Sequence, residues 1–309
     1  GTQRKIQQHK IHRLVWQSAS VAAVFMIVLF SVLFTRENRP PESSVVNDVP
    51  VAGKTQAVLS LPDGRQVALG NEKEQDTAWM KYVEACTIES KATTEPADIK
   101  IEVARGGEYK IRLEDGTTVW LNSESSLIYP EKFTGDKRAV RLSGEGYFEV
   151  ARDEKKPFIV SVTDMEIKVL GTKFNVTAYQ DEKMTTTTLI SGAVEVVTPH
   201  RSVQLQPGKQ AMVQEGGDDI TVLEVDVELA TSWTAGIFKF DKMALTDICT
   251  RLSRWYDIDF VFEGETGKEK FTGGTWKYVP LKDFLSKIER VTNVLFLFEN
   301  NTVKVVPKK

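Results

Sequence analysis

Cysteine and histidine are nearly missing from this chain, at two and three residues in 309. Cys86 and Cys249 stand far apart and in different parts of the chain, so they offer no disulfide framework and are expected as two buried free thiols. His9 and His12 lie near the N-terminus and His200 follows Pro199, a distribution that fits no usual metal-site spacing. HExxH and CxxC are both absent. A zinc enzyme or a histidine-based triad is excluded on these grounds. G-x-S-x-G and S-x-x-K are absent too, which removes the cues for common serine acyl-enzymes. A basic surplus is lacking: 40 Lys and Arg against 43 Asp and Glu give a net charge of -3, and no Lys/Arg run interleaves with aromatics after the N-terminal region. That balance disfavours nucleic-acid binding.

The remaining chemical candidates are weak. Gly267 and Lys268 resemble a phosphate loop superficially, but Glu269 occupies the position that needs Ser or Thr. Gly144, Glu145 and Gly146 are expected to form a tight turn between two strands rather than a nucleotide loop. The pairs Asp218/Asp219 and Glu263/Glu265 have the composition of a glycosidase dyad and the context of solvated loops. Asn175 and Asn300 head N-x-T sequons, meaningful only in a eukaryotic secretory setting. No catalytic residue, metal or cofactor is expected.

What the chain does possess is a stretch without ionisable residues, Leu14 to Thr35. As a helix it reaches roughly 33 Å, against a hydrocarbon core of about 30 Å, so one crossing is expected. It outlasts the ~7 to 15 residue core of a signal peptide, and no A-x-A-like site follows Phe34. Arg4, Lys5, Lys10 and Arg13 precede it without an acidic neighbour, which places the N-terminus in the cytoplasm. Residues 1–13 then form a cytoplasmic stub and 14–35 the span. Gly1 in place of methionine reads as the start of a piece cut from a longer chain.

Residues 36–52 are polar, carry Pro40, Pro41 and Pro50, and read as a tether. In residues 53–98, AVLSLPDGRQVAL (Ala57 to Leu69) is a hairpin signal, followed by a charged insertion in which Trp79, Tyr82 and Val83 are candidates for docking. The same text returns as YKIRLEDGTTVWL, with Leu113, Asp115, Gly116, Val119 and Leu121 in the places of Leu61, Asp63, Gly64, Val67 and Leu69. Residues 99–230 alternate apolar and polar side chains in short runs punctuated by Gly, Pro and Asp. They predict an all-β antiparallel domain, a sandwich, roll or solenoid, with Arg141, Glu145, Glu149 and Lys168 on solvated strand faces. Residues 231–309 change period. A strand at Ile237 to Phe240 leads to a helix with Leu245, Ile248, Leu252 and Tyr256 on one face, then DIDFVF and KFTGGTW as strands. A second helix carries Leu281, Phe284, Leu285, Ile288 and Val291, and a hairpin closes around Asn300 and Asn301. The expectation is a small α/β domain of two β-α-β units with two helices over one sheet.

The stretch from Gly106 through Gly208 contains DGTTVWLN (Asp115 to Asn122), LSGEGYFEV (Leu142 to Val150), Pro157-Phe158 and LGTKFNV (Leu170 to Val176). In order and density it resembles the periplasmic domain of FecR-family anti-sigma factors. Trp233 to Gly236, then IFKF and RLSRWYDIDF, are similar to the C-terminal domain of FecR-like regulators of Bacteroidetes, which looks like the small secretin and TonB-receptor signalling fold. The resemblance implies a regulator of the bacterial inner membrane with its bulk in the periplasm. Its partners would be the N-terminal signalling domain of an outer-membrane TonB-dependent transporter and, through the cytoplasmic segment, an ECF sigma factor. Strand addition at exposed sheet edges would serve such docking. The candidate edges are Ile237, Phe238, Lys239 and Phe240, or Val294, Leu295 and Phe296 with Thr302, Val303 and Lys304. Two other classes stay open: a glycan-binding module using Trp120, Tyr147 and Trp276, and a surface scaffold. The topology is testable with a membrane-impermeant amine reagent on spheroplasts: Lys308 and Lys309 are expected to react while Lys5 and Lys10 stay protected.

Overall fold

Period-two patterning becomes strand almost wherever it occurs. In the computed structural model, which describes residues 51–70, 98–163 and 165–308, buried and wetter residues alternate along the whole of Arg138–Glu149. The expected span, most of the tether, and the insertion with Trp79, Tyr82, Val83 and Cys86 lie outside the described residues. Among those described, no helix is long and apolar enough to cross a membrane.

Sixteen strands connect into one network: β1 (Lys54–Thr55), β2 (Ala57–Ser60), β3 (Gln66–Leu69), β4 (Asp98–Val103), β5 (Gly107–Arg112), β6 (Thr118–Leu121), β7 (Ser125–Pro130), β8 (Arg138–Glu149), β9 (Phe158–Val162), β10 (Met165–Val169), β11 (Lys173–Ala178), β12 (Met184–Ser191), β13 (Val194–Val197), β14 (Ser202–Leu205), β15 (Lys209–Gln214) and β16 (Ile220–Glu224). They make two layers that share β8. Its first half pairs with β7 and β9, and its second half with β6 and β11. Side chains from both layers, among them Ile101, Leu127 and Ile167 from one and Tyr109, Phe148 and Phe174 from the other, meet in a single apolar core.

The strand-to-strand corner overturns the turn expected at Gly144–Gly146, because β8 runs straight through it. Gly144 has φ +88°, and a Cβ there would lie 2.4 Å from Ser125 Oγ and 2.7 Å from the Glu124 carbonyl. Glycine is thus what lets one strand bend from the first layer into the second while β7 passes close by. The all-antiparallel expectation also needs correction, since β9 pairs with β8 in parallel. The chain after β8 loops back instead of making a hairpin. Buried Arg138 holds that return by donating to the Ala151 and Lys156 carbonyls and to Asp115.

The repeated hairpin text gives repeated geometry. In each turn the leucine N–H donates to the carbonyl four residues on, Leu61 to Arg65 and Leu113 to Thr117, and the glycine N–H donates back to the leucine carbonyl. Asp63 and Asp115 each accept the N–H two residues on, and Gly64 and Gly116 have φ +85° and +86°.

The rest of the chain builds a second core. It comprises α1 (Val227–Thr231), a 3-10 turn (Ser232–Ala235), β17 (Ile237–Ala244), α2 (Leu245–Tyr256), β18 (Asp259–Phe262), β19 (Lys270–Trp276), α3 (Leu281–Val291), β20 (Val294–Glu299) and β21 (Thr302–Pro307). The expected helical faces bury Leu245, Ile248, Leu252 and Tyr256 of α2 and Leu281, Phe284, Leu285 and Ile288 of α3. Val291 departs from this, 75% exposed at the last residue of its helix. One sheet was expected, and two are present. β17 pairs with β19, and β18 lies parallel to β21, which carries β20 on its other side. Left-handed glycines at 264 and 267 turn the chain away after β18, so β19 joins β17 instead of its predecessor.

Two glycine substitutions separate clash from strain. Gly144→Ala is expected to cost about 2–5 kcal/mol, combining left-handed strain with overpacking. Gly64→Ala, at a similar φ but with nothing within 4 Å, is expected to cost only about 1–2 kcal/mol. Urea unfolding of both variants measures the difference.

Candidate functional site

The described residues fall in one compact unit, and the two cores inside it are joined by cations. Lys277, just past β19, has no exposed surface. Its Nζ lies 2.7 Å from Glu108 Oε2 of β5 and 3.7 Å from the centre of the Trp255 ring. Desolvation lowers the Lys277 pKa, partly offset by Glu108. The peptide around it is clamped as well, since Trp255 Nε1 and Tyr256 OH both donate to the Lys277 carbonyl. Arg254 of α2, also buried, reaches Asp181 and Glu182 at 2.6 Å and Glu124 at 3.2 Å, with its guanidinium 3.6 Å over Tyr179. Burial alone would lower its pKa; Tyr179 and the acidic neighbours outweigh that and raise it. The third tie runs the other way. Arg105, before β5, pairs with Asp257 and Asp259 and donates to the Ser253 and Ile258 carbonyls.

Beside these ties lies a cavity of about 300 Å³ between the outer face of the second layer and the α1–β17 segment. The sheet side is polar, with Asn122, Glu145, Thr177 and Gln210. Glu145 was expected on a solvated face. It instead accepts from Asn122 Nδ2, Asn175 Nδ2 and Thr177 Oγ1. Asn175 is only 2% exposed, and its Oδ1 accepts from Trp233 Nε1. Its amide is therefore used inside the structure and is not presented for modification. Cys249 is a buried free thiol as expected, its pKa pushed up by desolvation. Among the described residues no group of three His, Cys, Asp or Glu is placed to hold a metal ion.

The candidate edges fare differently. Phe238 and Phe240 of β17 point into the second core and stack 6.2 Å apart, while Lys239 is tied to Asp226 and Glu228. Thr302, Val303 and Lys304 cannot offer an edge, because β21 is the middle strand with hydrogen-bonded neighbours on both sides. β20 keeps one: among the described residues it pairs only with β21. Val294 and Phe296 face the core, and Leu295 and Leu297 are exposed on the opposite face. The aromatics considered for glycans divide. Trp120 and Tyr147 pack edge to face at 5.4 Å with Lys110 over the indole, whereas Trp276 is 62% exposed. Sequence reasoning missed Arg105, Glu108, Arg254 and Lys277. One local signal was available, a charged residue at Arg254 beside the apolar stripe of α2.

Two crystal structures, each of a protein from Parabacteroides distasonis proposed to be an anti-sigma factor, superpose on this chain with TM-scores of 0.63 and 0.64. At 30% identity the alignments cover 68% and 69% of this chain and 99% and 100% of those chains. The pattern of the FecR protein family matches residues 99–195, and that of the FecR C-terminal family matches residues 237–305. This chain belongs to the FecR family. No curated protein matches it. The FecR match ends inside β13, although the layer to which it belongs continues to β14. The cationic ties run between the two matched segments, with Arg105, Glu108, Glu124, Asp181 and Glu182 in the first and Arg254 and Lys277 in the second.

Removing one partner from the driest tie should cost most. Glu108→Ala is expected to lose about 3–5 kcal/mol, because Lys277 is left charged and buried. Asp181→Asn, whose carboxylate is largely wet, is expected to lose under about 1 kcal/mol. Alkaline pH gives a second check. Burial and Glu108 push Tyr278 up to about 12 from 10.0, and burial also raises Tyr179 and Tyr256. Because these folded pKa values exceed the unfolded one, stability present below pH 10 is lost as pH rises through 12. Lys277 acts with opposite sign below 10.5. The melting temperature of Tyr278→Phe is expected to fall less steeply across that window than the parent's.

Proposed function

We propose that this FecR-family chain is a single-pass anti-sigma factor that relays the state of an outer-membrane TonB-dependent transporter to a cytoplasmic ECF sigma factor through protein contacts alone. In this reading Leu14 to Thr35 crosses the inner membrane, Gly1 to Arg13 and whatever precedes them face the sigma factor, and the described residues stand in the periplasm. The C-terminal segment, which looks like the small secretin and TonB-receptor signalling fold, receives the transporter's N-terminal signalling domain.

The observation that carries the receiving role is the β20 edge. A strand with no strand neighbour on one side, where Glu289 Oε1 accepts the Phe296 N–H at 2.7 Å and would have to yield to an incoming strand, and with Leu295 and Leu297 exposed beside it, has its remaining main-chain groups and apolar contacts to offer a partner. The β17 residues Ile237 to Phe240 are the second choice, since Lys239 on their outer face is tied to Asp226 and Glu228 where β20 exposes Leu295 and Leu297. The reading asks no reaction of any residue, and it leaves Trp120 and Tyr147 as packed neighbours of each other.

The test is capture of purified signalling domains of TonB-dependent transporters from the same genome by the full chain. Leu295→Glu combined with Leu297→Glu is expected to weaken capture at least ten-fold, while Leu223→Glu on the β16 edge leaves it unchanged. Capture unaffected by the β20 pair would refute the assigned edge. If the full chain captures none of those domains, the relay itself falls.

A further inference from the structure

Residues Val51 to Gln56 cross from one core to the other. Ala52 packs against the second core, and Ala57 is buried in the first. Between them Gly53 lies flat on the Trp255 indole, where a Cβ would come within 2.6 Å of two ring carbons. The next two residues, β1, pair in parallel with β5, with Lys54 opposite Gly107 and Thr55 opposite Glu108. Beside the β1–β5 pairing itself, three hydrogen bonds tie the strap: Lys54 N–H to the Gly106 carbonyl at 2.8 Å, Gln56 N–H to the Glu108 carbonyl at 3.0 Å, and Gln56 Nε2 to the Gly106 carbonyl at 3.3 Å.

The residues that receive these bonds are the ones held by the C-terminal segment. Gly106, at φ +71°, donates its own N–H to the Arg254 carbonyl of α2 at 2.7 Å. Glu108 takes Lys277 on one carboxylate oxygen and Tyr278 OH on the other. Each strap contact therefore ends on the carbonyl of a residue whose N–H or carboxylate is bonded to α2 or to the Lys277 loop. Moving that segment against β5 disturbs both strap contacts at once. Its strand, β1, is exposed and only two residues long, which places it at the easily opened end of the molecule. By sequence it is where the proline-containing tether meets the folded unit.

We infer that Val51–Gln56 is a releasable strap: docking on the C-terminal segment shifts α2 and Lys277, and the strap lets go of β5 and Trp255, changing the state of the tether that leads to the membrane. This rests on the anti-sigma reading above and adds the element by which the message leaves the folded unit.

Hydrogen exchange on the full chain in detergent, together with transcript profiling of cells carrying the same variants, tests it. In the parent, the Lys54 and Gln56 amides are expected to be protected. Gly53→Val, which cannot lie on Trp255, and Gln56→Pro, which deletes the backbone N–H and the side-chain amide donor without touching the indole, should each speed exchange of the remaining amides in residues 51–56 at least ten-fold while β8 stays protected. Gly135→Val, where a Cβ meets nothing within 4 Å, should change nothing. In cells, both strap variants should shift the transcripts that deletion of the whole chain shifts. Unprotected strap amides in the parent would overturn the proposal. So would released straps with parental transcripts while the deletion still changes them, an outcome that leaves the anti-sigma reading standing. A deletion that changes no sigma-dependent transcript removes that reading and the strap's role with it.

Discussion

A charged lysine with no solvent exposure is costly unless its partner is present and its remaining surroundings are favourable. Lys277 meets that condition by drawing on both halves of the described structure: the carboxylate comes from β5, and the ring beneath it comes from α2. Neither half supplies the site alone. This is why the two apolar cores, each large enough to hold its own strands together, are found as one unit. Arg254 and Arg105 reinforce the same seam with wetter and individually weaker pairs.

The seam also explains why a polar sheet face can be covered. Asn122, Glu145, Asn175 and Thr177 satisfy one another and Trp233, so the α1–β17 segment packs over them without stranding their hydrogen-bonding groups. Such an interface is more polar than a core and is of the kind that allows neighbouring modules to move against each other. For a protein proposed to work by passing on a docking event, a dry ionic anchor next to a wetter, less apolar contact is a physically reasonable combination.

Much of this architecture was legible in advance, and the failures share a cause. The two D-G hairpins were readable because turn geometry is set by four or five consecutive residues, as Asp63–Gly64 and Asp115–Gly116 show. The helical stripes of α2 and α3 were equally local. Strand order is not. Nothing in TVKVV reveals that β21 sits between two neighbours, so its edge role was wrongly expected, while the flanking VLFLF strand kept its free side. Gly144 misled for a related reason: glycine marks both turns and close backbone approaches, and only the position of Ser125 across the layer decides between them. Lys277, between Trp276 and Tyr278, has the appearance of an outward-facing strand end, and its burial depends on Glu108, far away in sequence.

Calorimetric unfolding of residues 48–309 within the full chain is the most direct test of a seam that makes two cores cooperate. A single endotherm whose calorimetric and van't Hoff enthalpies agree is the predicted result. Two resolved transitions in the unaltered protein, one for each core, would show that Lys277 and its neighbours do not couple them.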